Sequence, residues 1–373
     1  MDRKITLSIL LSFVGSIAIV VLLIELSNDW RQNPGSFLRE FPPHPALEAD
    51  AIELNFSDYY IAGGTENTIY LGNYSAPLHM VVVNTSTMDT SHVRLHVKNI
   101  HDQKFWSIDV KVDSPHFYLT DGAVPRIYKG SVESWQAERY PFDSVYFLDF
   151  EPITSNSFAI RALGRPIREN TLGKIGTSSP HVKMKPGILK KQVDGVFCTD
   201  GTMHFNRERN ELTYLYLYRN EFTVLDTNLN VLRVGHTIDT TTQANIKVEM
   251  IQSTGETKFS TPQRIVNRSS AVRGDLLFVN SMLVARNESP KAVVHATAID
   301  VYQMFDQEYL FSFYIYDYDN KERLKDFLVR GDNLYAMFSR HLQVWNLQPA
   351  FFGRKEINKS IYARKSGRKT EHL

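Results

Sequence analysis

The sequence predicts an all-β chain organised as a six-bladed β-propeller whose ring is closed by its own N-terminal strand. Three observations carry that expectation. Phe, Tyr and Trp make up 12% of the 373 residues, a bias that suits pleated, half-buried strands. From Ala51 to about Pro349, short apolar and aromatic runs are broken by Gly, Asn, Asp and Ser, with no sustained 3.6-residue period. Along the same region a weak unit of strand, polar or Gly turn and strand recurs six times. Its mean spacing of about 54 residues is near the ~40–50 of a propeller blade with some insertions. A β-sandwich array and a seven-bladed ring are the competing architectures.

Before the repeat comes an apolar run. Ile5 to Leu26 (ITLSILLSFVGSIAIVVLLIEL) has Glu25 as its one charge, and about 22 residues in a helix are long enough to cross a hydrocarbon layer of ~30 Å. A cleaved signal peptide is the alternative, but the run exceeds the usual ~7–15-residue apolar region and no small-x-small cleavage site follows. Residues 1–4 are therefore read as a cytoplasmic N-terminus and residues 5–26 as a transmembrane signal-anchor. Arg3 and Lys4 precede the run, while Glu25, Asp29, Glu40, Glu48 and Asp50 outnumber Arg31 and Arg39 after it. That bias places the bulk of the chain outside the cytoplasm of a bacterium. Residues 27–50, with Pro34, Gly35, Pro42, Pro43 and Pro45, read as a Pro-rich stalk. The propeller domain is expected over 51–350, and a basic, disordered tail over 351–373.

The copies of the unit begin at Tyr59 (YYIAGGTENTIYLGN), His116 (HFYLTDGAVPRIYKG), Val196 (VFCTDGTMHFNRERNELTYLYLYRN), Ser270 (SAVRGDLLFVNS) and Asp326 (DFLVRGDNLYAMFS). A poorer copy, SFAIRALG, begins at Ser157. Their turns align as Gly63-Gly64, Asp121-Gly122, Asp200-Gly201, Gly274-Asp275 and Gly331-Asp332, where Gly or Asp permits the tight geometry of a hairpin. A third strand follows in LHMVVVN, EFTVLDTNL and HLQVWNL. After Leu347 the chain is too polar to supply a fourth strand, while AIELNF from Ala51 has no earlier partner. Pairing these two ends completes the last blade and leaves no exposed sheet edge.

This organisation resembles the six-bladed propellers of the TolB-like superfamily over most of residues 51–350, and the whole chain is similar to membrane-anchored bacterial propeller proteins. Repeated Trp-Asp dipeptides and kelch signatures are absent. The resemblance implies that the first strand of each blade lines a central channel and that ligands meet loops on one face. On this alignment the loop residues Asp113, His116, Asp194, Arg219, Asn220, Asn267, Asn280 and Arg340 are the candidate ligand-binding set. A ring of carboxylates and amides of this kind would suit Ca²⁺ through oxygen ligands, whereas the same residue types also serve to satisfy loop backbone.

Chemistry beyond that is sparse. No nucleophile elbow, zinc-protease helix, phosphate loop or dinucleotide fingerprint occurs. Cys198, the one cysteine, excludes an internal disulfide and reads as a buried, inert thiol. A net charge of +1 removes the bulk argument for a nucleic-acid partner. The expected function is a non-catalytic ligand- or protein-binding scaffold without a cofactor. The alternatives are a Ca²⁺-dependent, lactonase-like hydrolase and a subunit supporting an electron-transfer partner.

Overall fold

The computed structural model describes residues 3–32, 35–98, 105–142, 145–164, 169–252 and 256–353. Helix α1 (Arg3–Gln32) precedes the sheets, and strand β1 (Ala46–Glu53) follows it. Blade 1 is β2 (Tyr59–Gly64), β3 (Thr68–Asn73), β4 (His79–Asn84) and β5 (Thr90–Arg94). After the short β6 (His96–Val97), blade 2 is β7 (Asp109–Asp113), β8 (His116–Asp121), β9 (Arg126–Ser131) and β10 (Gln136–Arg139). Blade 3 is β11 (Asp149–Thr154), β12 (Ser157–Leu163), β13 (Asn170–Ile175) and β14 (Val182–Lys185). Blade 4 is β15 (Gly201–Asn206), β16 (Glu211–Tyr216), β17 (Glu221–Asp226) and β18 (Val231–His236). A hairpin, β19 (Val248–Ile251) and β20 (Glu256–Phe259), precedes blade 5, which is β21 (Asn267–Arg273), β22 (Leu276–Ser281), β23 (Ala296–Gln303) and β24 (Glu308–Tyr316). Blade 6 takes β25 (Asp326–Arg330), β26 (Asn333–Met337) and β27 (His341–Leu347) from the C-terminal end and β1 from the N-terminal end. Strand β1 runs antiparallel to β27, from Ala46 opposite Leu347 to Glu53 opposite His341, so the expected closure is present.

Alternation explains why the innermost strands fold as they do. In β7, Asp-Val-Lys-Val-Asp, Val110 and Val112 are buried while Asp109, Lys111 and Asp113 are half-buried. Strand β25, Asp-Phe-Leu-Val-Arg, repeats the pattern with Phe327 and Val329 buried. With a side-chain period of two, one set of side chains packs into the neighbouring blades and the other faces the ring axis.

One apolar cluster fills each contact between successive blades. Ile69, Val81, Tyr335 and Leu342 join blades 1 and 6, and Met80, Tyr70, Val110 and Phe117 join blades 1 and 2. Tyr118, Phe150 and Phe158 join blades 2 and 3, and Leu172, Met203 and Tyr214 join blades 3 and 4. Phe222, Val279 and Tyr302 lie between blades 4 and 5, and Phe278, Ile299, Phe327 and Trp345 between blades 5 and 6. This is where much of the aromatic excess goes. Wide, flat rings span the gap between tilted sheets with little loss of side-chain entropy. Backbones approach closely where blades 1 and 2 meet at the axis. A Cβ on Gly63 (φ +156°) would sit 2.0 Å from the Val112 carbonyl oxygen, so only glycine fits there.

The stretch expected to be a stalk belongs to the fold from Gly35 onward. Phe37 and Arg39 are buried, the Gly35 and Arg286 amides donate to the Val284 and Phe37 carbonyls, and Phe41 stacks on Tyr314 at 4.5 Å. The boundary expected at Ala51 falls inside β1. Prolines suit this segment because it runs extended along blade 5 before pairing. Helix α1 carries the apolar run, with Leu10, Phe13 and Leu23 exposed. Among the described residues no helix is long and apolar enough to cross a membrane, so the expected span from Ile5 to Leu26, and the membrane as a partner, are not supported. The basic tail lies outside the described residues from 354 onward.

Candidate functional site

The connections divide between two faces. The upper face carries the segments leading into each inner strand and the loops joining second to third strands. The lower face carries the hairpins joining first to second strands. Side chains from β7, β11, β15 and β25 meet along the axis between them. Lys111 Nζ lies 2.8 Å from Glu151 Oε2 and 3.8 Å from Asp149 Oδ1. Burial works against the Lys111 ammonium, but those carboxylates override it and hold the group above its ordinary value. Burial is the largest influence on Glu151 and works to raise it, but Lys111, His204 and the Phe205 amide together hold it below its ordinary value. Its second oxygen accepts the Phe205 amide at 3.0 Å.

Toward the lower face, Arg330 Nε donates to the Gly64 carbonyl at 2.9 Å, and Arg207 forms two hydrogen bonds to the Asp113 carboxylate. That fork joins blades 2 and 4 at the lower end of the channel. His204 Nε2 is buried without a hydrogen-bond partner, and burial pushes its imidazole down to about 4. Near the upper face, burial raises Asp109 and lifts the Asp326 carboxyl to about 6.

These two shifts oppose each other in pH. Folded Asp326 keeps a proton that the unfolded chain releases above about pH 4, so its contribution to stability falls as pH rises to about 6, and the cost is complete beyond it. His204 runs the other way: the unfolded chain binds a proton below about pH 6.5, and stability is lost as pH falls from there toward 4. Asp326→Asn is expected to stabilise the protein at pH 7.5 by about 1–3 kcal/mol. It should leave a stability that climbs with pH between about 4 and 6.5, while His204→Gln should leave the reverse slope. Urea melts at several pH values check this, and identical pH profiles for the two variants would contradict the assignment.

Between blades 2 and 3 the channel mouth widens on the upper face into a cleft of about 410 Å³. Asp109 and Asp149 line it at the axis, with Tyr146, Phe147, Leu148, Phe150 and Leu163 among its walls. Tyr146 is 59% exposed, and Leu148 and Leu163 are exposed as well. Trp106, adjacent in sequence to the lining residue Ser107, is 82% exposed. Its backbone is fixed by the Asp121 carboxylate, which accepts the Trp106 and Ser107 amides at 2.6 and 3.2 Å. Gly122 lets the wall close up, because a Cβ there would lie 2.0 Å from the Phe147 carbonyl oxygen.

The sequence-derived set is not gathered at this cleft. Asp113 ends β7 and His116 begins β8, which puts both on the lower face. The alignment behind them was one strand out of frame: the copies starting at His116 and Ser157 open on the second strands of blades 2 and 3, and the Asp200-Gly201 turn of the copy starting at Val196 stands before the first hairpin of blade 4, not within it. Asp194 accepts the Phe197 and Cys198 amides, each at 2.9 Å. Arg219 is buried against the Tyr216 ring at 3.5 Å, donating to the Lys190 carbonyl and to Glu221. Asn220 donates to the Asp239 carbonyl, and Asn267 to those of Tyr216 and Arg219. Asn280 Nδ2 lies 3.4 Å from Ser269 Oγ. Arg340 is exposed on the upper face, its amide bound to Glu322. Cys198 is buried, as expected.

Lys111, Glu151, His204 and Asp326 went unnoticed in the sequence. Their signal was charge at alternate positions of otherwise apolar strands, as in DVKVD and DFLVR. Among the described residues, no group of three or more His, Cys, Asp or Glu side chains is arranged to hold a metal ion.

No family model matches the chain, and no curated protein matches it. Solved structures do. A member of the duf4221 family from Bacteroides vulgatus is 13% identical, with 85% of this chain and 99% of that one covered at a TM-score of 0.47. The β-propeller domain of Myceliophteria thermophila Cps50 (Swd1) is 7% identical, covering 80% of this chain and 100% of that one at 0.44. A chain of the mitotic checkpoint complex is 10% identical, covering 80% and 91% at 0.44. At these distances the likeness says nothing of function.

Proposed function

We propose that this chain is a non-catalytic binding module that presents the upper face of its ring, at blades 2 and 3, to a protein or peptide partner. The observation that carries this reading is the cleft whose rim keeps Tyr146, Leu148 and Leu163 in solvent, with Trp106 exposed beside it. Large apolar side chains collected around a concavity are characteristic of interaction sites, and aromatic residues there supply much of the binding energy of known interfaces. Elsewhere along the axis Lys111 is bound to Glu151 and Arg207 to Asp113.

Site-specific photo-crosslinking in the native host tests the reading. A photoreactive amino acid at Leu148 on the upper face is expected to give a discrete protein adduct, and one at exposed Thr154 on the lower face none. Adducts from Thr154 alone would overturn the choice of face. Metal-dependent turnover of lactones or phosphoesters by the purified chain would overturn the non-catalytic assignment.

A further inference from the structure

The charges at the floor of the cleft do not balance. Asp109, Asp149, Glu151 and Asp326 approach the upper half of the channel from three inner strands, β7, β11 and β25. Four cations accompany them. Lys111 sits 2.8 Å from Glu151 and farther, at 3.8 Å, from Asp149. Arg161 is bound to Asp200 at 2.8 Å and also acts on Asp149, and Arg330 divides its charge between Glu151 and Asp113. Arg268, exposed at the start of β21, acts on Asp326. Of the two carboxylates that line the cleft, Asp149 shares Lys111 and Arg161 with other acids, and Asp109 has the shared Lys111 ammonium and the Tyr60 hydroxyl. Burial keeps the Asp109 carboxyl above its ordinary value despite that ammonium and the neighbouring Tyr60 hydroxyl. A buried carboxylate without a full counter-charge is stabilised by any cation brought to it.

The walls above this floor are apolar. Tyr146, Leu148 and Leu163 are exposed while Asp109 and Asp149 are half-buried, so an entering side chain would pass hydrocarbon before it reaches carboxylate. Lysine and arginine have that layout, with an apolar stem and a charged head, and an aromatic rim adds attraction for the cation. Trp106 stands outside the cleft, fully presented to solvent, where a small amine would leave it uncovered but the flanking residue of a peptide would not.

We propose that the cleft between blades 2 and 3 receives the side chain of a lysine or arginine carried on a peptide segment with apolar neighbours, its cationic head meeting Asp109 and Asp149. This rests on the upper face being a docking surface, and it goes further by naming what docks.

The test is selection of random heptapeptides displayed on phage against the full chain, followed by fluorescence anisotropy on the best peptide. Enriched peptides are expected to share a Lys or Arg beside an apolar residue. Replacing that Arg by citrulline, which keeps the shape and removes the charge, should weaken binding about tenfold or more, as loss of a charge-assisted contact does. Asp109→Asn/Asp149→Asn should have the same effect with unchanged circular dichroism, and Asp109→Asn alone serves if the pair does not fold. Leu148→Ala should also weaken binding, irrespective of charge. n-Butylguanidinium is the small-molecule arm: affinity equal to that of the peptide would overturn the peptide as ligand.

Peptides that need Leu148 yet carry no basic residue would overturn this inference and leave the docking face standing. Peptides indifferent to both Leu148 and the two aspartates would overturn both, and a selection that enriches nothing overturns the proposal.

Discussion

Arg39→Met is expected to destabilise the protein by about 3–5 kcal/mol, the usual cost of removing one partner from a buried ion pair. Arg39 is 2% exposed and reaches across from the N-terminal segment into blade 5. Its Nε and Nη2 donate to the two oxygens of Asp300 at 2.7 and 3.1 Å, and Nη1 donates to the Leu283 carbonyl and to Glu288. Both carboxylates are almost wholly shielded from solvent, so methionine would fill the volume and leave them uncompensated. Burial disfavours the guanidinium, yet Asp300 and Glu288 hold it charged beyond its ordinary range. Lys98→Ala breaks a pair with Glu138 that is exposed at both ends and should cost less than about 1 kcal/mol. Urea unfolding of both variants makes the comparison, and an Arg39→Met cost no larger than that of Lys98→Ala would refute this account.

Removing residues 1–53 should abolish the soluble monomer. The truncation takes Arg39 and strand β1 together, baring β27 along its length and uncovering the apolar residues beneath. An open edge next to exposed apolar surface recruits other chains. Removing residues 1–34 instead leaves Phe37, Arg39 and β1 in place, and the melting temperature should stay within about 2 °C of the full chain, since nothing that closes the ring is lost. A peptide of residues 35–54 added in trans should restore monomer to the longer truncation. Size-exclusion chromatography decides the matter: a monomeric, cooperatively folding chain from Leu54 onward would show that β1 does not hold the ring shut.

The closure was legible because it is a question of supply. HLQVWNL at the C-terminal end needed a partner, the residues after it were too polar to provide one, and an unmatched strand stood before the first repeat. The sequence did not show how far that strand extends. Its first residues, Ala46 to Asp50, include Glu48 and Asp50, which suit the solvent-facing side of an outermost strand and equally suit a stalk. The buried Arg39 was hidden for a related reason. A single arginine among prolines has no local pattern, and its partners Glu288 and Asp300 are 249 and 261 residues away.

The candidate site was misplaced by one strand in blade 2. Each blade contains several antiparallel hairpins with Gly or Asp turns, and Asp121-Gly122 between β8 and β9 is locally equivalent to Gly331-Asp332 between β25 and β26. Local energetics cannot tell the first hairpin of a blade from the second. An error of one strand exchanges the upper face for the lower, which is how Asp113 and His116 came to be grouped with Asn267 and Arg340.

By itself, then, the sequence determined that the chain is built of short strands, that they recur as six units, and that its two ends meet. These follow from composition, alternation and turn chemistry, all properties of neighbouring residues. The tertiary structure alone decided which alternate side chains face the axis, which carboxylates share a cation, and where aromatic residues stay uncovered. A strand's period of two defines a pair of faces but not what lies opposite either one. That depends on the curvature of the ring, which brings Asp109 and Asp149 from different blades to the floor of one cleft.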